Sequence, residues 1–111
     1  MTSSDPEKPF NYRLKFIPKA FDEWNAFDGS VKEVLRKALK KRLMNPYVPS
    51  CRLKSDLSGC YNIKLRRQGY RLVYTVQDEF LVVLVLAINK RKDAVVYRAA
   101  MSNFAKELPI N

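Results

Sequence analysis

The sequence predicts an α+β fold: a small, antiparallel-rich sheet carrying two N-terminal helices and a C-terminal helix, in the order β-α-α-β-β-β-α, with the helices gathered on one side. Three observations predict it. Two segments after residue 17 repeat apolar residues at three- and four-residue spacing, two alternating segments between residues 60 and 76 flank a short turn, and the apolar run Phe80 to Ile88 follows.

Met1 to Phe10 (MTSSDPEKPF) is polar, holds two prolines and lacks periodicity, so it reads as a loose leader ahead of a single domain at 11–111. In NYRLKFI (11–17), Tyr12, Leu14 and Phe16 alternate with Arg13 and Lys15, as in a half-buried strand. Pro18 suits the first turn of a helix, and Ala20, Phe21, Trp24 and Phe27 then recur on one stripe, which assigns the three aromatics to the core. After Asp28-Gly29, the run Ser30-Val31-Lys32-Glu33 has the capping-box pattern of a second helix. Val31, Val34, Leu35, Ala38, Leu39 and Leu43 form its apolar stripe up to Met44, with Arg36, Lys37, Lys40 and Lys41 opposite.

Pro46 stops that helix and, with Pro49, fixes an irregular connection over 45–58 that carries Arg52 and Lys54. CYNIKLR and YRLVYTV then alternate around Arg67-Gln68-Gly69, as in a hairpin. Parity places Tyr61, Tyr70, Leu72 and Tyr74 with Ile63 and Leu65 on the core side, leaving Lys64, Arg66 and Arg71 on one exposed surface. After a turn near Asp78-Glu79, the apolar run suits a central strand covered on both faces. Lys92 to Leu108 returns to helical spacing through Ala94, Val95, Ala99 and Phe104.

Composition narrows the class. At 111 residues, 47% hydrophobic and 29% charged, the chain suits one globular domain and excludes disordered or low-complexity classes. There is no histidine, which removes the usual general base and the commonest metal ligand. Catalysis would fall to Lys, Arg, Tyr or a carboxylate, and neither a metal nor a cofactor is expected. Cys51 and Cys60 have no ligand-type neighbours and read as free thiols. The longest apolar run has half of the roughly 20 residues a bilayer span needs. With no signal-peptide run near the start, a cytoplasmic protein without a membrane partner is expected.

The net charge is +10, and 12 basic against two acidic residues between Ser30 and Tyr74 account for all of it. A basic helix alone is usually a solvated face. The basic loop and hairpin added to it favour a polyanion such as nucleic acid. RNA brings its own nucleophile, the 2′-hydroxyl, so cleavage needs only proton removal, stabilisation of phosphate charge and protonation of the leaving oxygen. Lys64, beside like charges, could take the proton; the arginines could clamp phosphate, and Tyr97 could add a phenol.

The hairpin CYNIKLRRQGYRLVY, followed by NKR at Asn89–Arg91 and VVYRAA at Val95–Ala100, resembles the RelE branch of the RelE/ParE toxin superfamily. With FDEWNAF, the basic helix and the proline-containing connection, the resemblance covers roughly residues 11 to 105. It implies a toxin of a type II toxin-antitoxin system: a ribosome-dependent mRNA endoribonuclease, or mRNA interferase. Such a toxin enters the decoding site of the small ribosomal subunit, cuts the messenger without a metal and leaves a 2′,3′-cyclic phosphate.

Residue by residue, the resemblance makes Lys64 the general base and Arg71 the phosphate-steadying group. Arg91 stabilises charge or protonates the leaving oxygen, and Tyr97 stacks on or orients the nucleotide. Lys54 most nearly matches a basic loop residue of the family. Arg36, Lys37, Lys40, Lys41, Arg52, Lys54, Arg66 and Arg67 are the expected RNA- and ribosome-binding surface. Where the family usually carries a second lysine, two residues before the catalytic one, this chain has Asn62. A cognate RelB-like antitoxin, acidic and partly disordered, would cover or displace the last helix, and would carry the pair to operator DNA. Two other readings fit part of the pattern: a ParE-like gyrase poison, which lacks this cationic set, and a non-enzymatic nucleic-acid-binding module.

Overall fold

The computed structural model describes residues 12–90 and 93–107. The 1–10 leader, Arg91 and Leu108 lie outside the described residues. The elements are β1 (Arg13–Phe16), α1 (Pro18–Asn25), α2 (Gly29–Met44), β2 (Cys60–Leu65), β3 (Tyr70–Gln77), β4 (Val82–Asn89) and α3 (Asp93–Glu107). The predicted order is observed. The strands form one mixed sheet ordered β1-β4-β3-β2, with β1 parallel to β4 and the other neighbours antiparallel.

The helices do not gather on one side. Arg42 of α2 hydrogen-bonds the Tyr74 hydroxyl, whereas Tyr97 of α3 bonds the Asn62 side chain. Tyr74 stands opposite Tyr61, one residue from Asn62, so the two helices touch opposite faces of the sheet. The reason is the strand pattern: Val82 to Ile88 of β4 are all buried, as are Leu72 to Thr75 of β3. Residues of both parities must leave water, and helices on one side would cover only half of them.

Two local expectations also change. The capping box is not formed, because Asp28 is the N-cap of α2: its Oδ1 accepts the Val31 N–H at 3.1 Å and the Ser30 hydroxyl at 2.7 Å. A carboxylate at a helix start gains from the macrodipole as well as the bond, an advantage a serine lacks. These bonds, Ser30 first, hold the Asp28 carboxyl below its ordinary range. Ser30 lies inside the helix, and Glu33 pairs with Arg36 at 3.2 Å. The apolar run starts later than expected, since Asp78–Phe80 form a 3-10 turn closed by Leu81 at φ 53°. Phe80 and Leu81 stay exposed on that turn.

Of the three aromatics near α1, Trp24 is buried, while Phe21 is 48% exposed and touches Phe16 with ring centroids 5.7 Å apart. Phe27 packs half-buried against Tyr70, centroids 4.7 Å apart. Polar ties fasten the layers. The Asn103 amide donates to Leu86 O at 2.8 Å, and Glu23 accepts the Ile88 N–H at 3.1 Å, with burial raising the Glu23 carboxyl. At the far end of the sheet both Tyr12 and Tyr47 donate to Asp78, joining the residue before β1, the 45–58 connection and the β3–β4 turn.

Those phenols, Tyr47 first, hold the Asp78 carboxyl below its ordinary value of 3.8. A depressed carboxyl stabilises the fold above its unfolded value and loses that contribution as pH falls through the folded one. The melting-temperature gap between wild type and Asp78→Asn is therefore expected to be open at neutral pH and to close below about pH 3.8. Thermal melts across a pH series check it.

Candidate active site

The β2–β3 register sets Lys64 directly opposite Arg71. Opposed residues of an antiparallel pair share a face, so the parity expected of the two cations is observed. Lys64 is exposed; Arg71 is half-buried and donates to Tyr70 O at 3.3 Å. Two residues before Lys64, on the same face, the Asn62 amide donates to the Tyr97 hydroxyl at 2.7 Å. Lys64, Arg71 and Tyr97 thus belong to one face of the hairpin, with the Lys64–Arg71 pair next to its turn. The β3–β4 register places Arg71 opposite Asn89, near the segment that leads to Arg91.

Beside this face, between α2 and the outer edge of β2, lies an open cleft of about 570 Å³. Lys41, Arg42, Lys64 and Arg66 bring four cations to it, Ser50 and Asn62 add polar groups, and no carboxylate lines it. Such a cleft suits an anionic strand.

Arg42 was not among the residues singled out by sequence. It donates to Asn62 O and the Tyr74 hydroxyl at 2.9 Å each and to Cys51 Sγ at 3.3 Å, with its guanidinium carbon 5.7 Å from the Tyr74 ring centroid. The buried Tyr74 hydroxyl in turn donates to Pro46 O at 2.9 Å. Burial pushes the Tyr74 phenol up, and Arg42 opposes the shift. One side chain therefore covers a carbonyl on the sheet edge and ties α2 to the 45–58 connection. Its position between Leu39 and Leu43, at the border of the apolar stripe, was the available signal.

The other expected binding residues are dispersed. Arg36 lies 5.7 Å from the Trp24 ring centroid and pairs with Glu33, so it turns toward α1 rather than the cleft. Lys37 and Lys40 are exposed on α2, Lys37 one turn before Lys41. Arg52 is exposed and bridges to Tyr61; Lys54 precedes a 3-10 turn at Ser55–Leu57; Arg67 is exposed in the hairpin turn. None of these six lines the cleft. Both cysteines are free thiols, and burial raises Cys60 to about 11. No helix among the described residues is long and apolar enough to cross a membrane.

The family model described as ParE toxin of type II toxin-antitoxin system, parDE, matches residues 14–95. The mRNA interferase toxin RelE of Escherichia coli strain K12 is 41% identical over 90 residues, 81% of this chain and 94% of RelE. This chain belongs to the RelE/ParE toxin superfamily as a RelE-type toxin. The free state of an E. coli RelE double mutant is similar to this RelE-type toxin with a TM-score of 0.75 and 37% identity, over 88% of this chain and 99% of that one. The toxin in the intact E. coli RelBE toxin-antitoxin complex matches with a TM-score of 0.69 and 41% identity, over 73% and 98% of the respective chains. The expected membership and α+β architecture are borne out.

In this RelE-type toxin, Arg42→Lys keeps the charge of the cleft wall but cannot reproduce the guanidinium's forked contacts. A loss of about 1–3 kcal/mol is expected, the range for charged or buried hydrogen bonds left unmade, read from urea unfolding.

Proposed function

We propose that this RelE-type toxin cuts messenger RNA in the decoding site of the small ribosomal subunit, by attack of the RNA's own 2′-hydroxyl. The observation that carries the reading is the Lys64–Arg71 pair on the hairpin face to which Tyr97 also belongs, in a chain without histidine. The mRNA interferase name of a relative 41% identical supports it.

Lys64, in its neutral form, takes the proton of the 2′-hydroxyl. The oxygen attacks the adjacent phosphorus while Arg71 holds the non-bridging oxygens. The bond to the 5′-oxygen breaks, that oxygen gains a proton with Arg91 assisting, and the products are a 2′,3′-cyclic phosphate and a 5′-hydroxyl. No metal is required, because the nucleophile belongs to the substrate. Tyr97 orients the nucleotide at the cut, while Lys41, Arg42 and Arg66 steady the strand in the cleft. The exposed Lys37, Lys40, Arg52, Lys54 and Arg67 contact RNA of the messenger or the ribosome.

A cognate RelB-like antitoxin holds the toxin inactive, as the likeness to the RelBE complex supports, and carries the pair to operator DNA. The basic surface suits an acidic antitoxin that folds as it binds.

The test is in vitro translation with purified toxin, followed by primer extension on the translated message. Wild type is expected to create new ends within codons. Lys64→Ala and Arg71→Ala should each cut at least about 100-fold more slowly, since a positioned acid, base or charge typically contributes 10²–10⁴. Unaltered thermal melts would show the fold intact. Whole transcripts would overturn the reading, and DNA damage with intact messages would point to the gyrase-poison alternative.

A further inference from the structure

Asn62 is a neutral side chain two residues before Lys64 on the same hairpin face. The side-chain amide donates to the Tyr97 hydroxyl at 2.7 Å, across 35 residues of sequence. The same residue's carbonyl accepts the Arg42 guanidinium at 2.9 Å. Asn62 is thereby held from both sides, by α2 through its backbone and to α3 through its side chain.

We propose that Asn62 is a positioning residue for Tyr97: its amide fixes the phenol on the hairpin face and leaves the phenol's own proton to be donated toward the nucleotide. This rests on the nuclease reading above. The direction of the bond matters. The amide is the donor, so the phenol oxygen accepts and its O–H points elsewhere. A lysine here would add a charge for phosphate; the neutral amide spends its donor on the tyrosine. Positive charge beside the site is still supplied by Lys41, Arg42 and Arg66 in the cleft. A neutral amide at this position thus offers a fixed phenol in place of phosphate affinity. Misplacing such a group by about 1 Å can cost up to about 100-fold in rate.

The test is a double-mutant cycle on ribosome-bound message, using Asn62→Leu, which keeps the volume without the donor, and Asn62→Ala as a second variant. Each should lower kcat about tenfold with KM within about twofold of wild type, an effect of positioning rather than binding. In a Tyr97→Phe background the same substitutions should change kcat less than about twofold, because the bond they break is already absent. The 13Cζ resonance of Tyr97 in the free toxin should move in both Asn62 variants, whatever the activity. Losses that multiply in the Tyr97→Phe background, or an unmoved resonance, would overturn the proposal while cleavage by wild type stands. Uncut transcripts with wild type would remove the reaction itself, and this role with it.

Discussion

The sheet of this toxin has to be covered twice, and the positions of the hairpin cations and of Tyr97 follow from that. Val82 to Ile88 of β4 are all buried, and so are Leu72 to Thr75 of the neighbouring strand. Burying one large aliphatic side chain is worth about 1.5–3 kcal/mol, whereas an exposed ion pair is worth about 0–1. The apolar strands therefore dictate the layering, and the charges occupy what is left. With α2 against one face, α3 must take the other. That places Tyr97 beside Asn62, on the parity that also carries Lys64 and Arg71.

The hairpin was legible because its period is two and its turn is short. Once Ile63 and Leu65 face the core, Lys64 and Arg71 have no alternative but to share the opposite surface. The side taken by α3 was not legible, since a helical stripe says that a face is buried but not against which face of the sheet. Asp28 and Ser30, two residues apart, both suit an N-cap, and the charge of the carboxylate decided between them. Arg42 read as one more solvated cation because its partners at positions 51, 62 and 74 lie 9, 20 and 32 residues away. The chemical roles of Arg91 and Tyr97 came from the family resemblance, not from periodicity.

Concentrating ten net charges in one chain has a cost. Like charges repel across the fold, and this chain has no histidine with which to shed them near neutral pH. The sequence confines the excess to 30–74, the stretch that builds α2, the irregular connection and the hairpin. Those elements bring Lys41, Arg42, Lys64 and Arg66 to one cleft, so part of the repulsion lies where an anionic strand would relieve it. The fold stores a preference for a polyanion.

The cations behind that preference are not equivalent. Salt screens exposed charges over about 8–10 Å at physiological strength but acts far less on partly buried ones. Lys37 and Lys40 stand in solvent on α2, whereas Arg42 and Arg71 are half-buried and hydrogen-bonded. Ionic strength therefore weakens the long-range field of the exposed lysines and leaves the short-range geometry of the braced arginines in place.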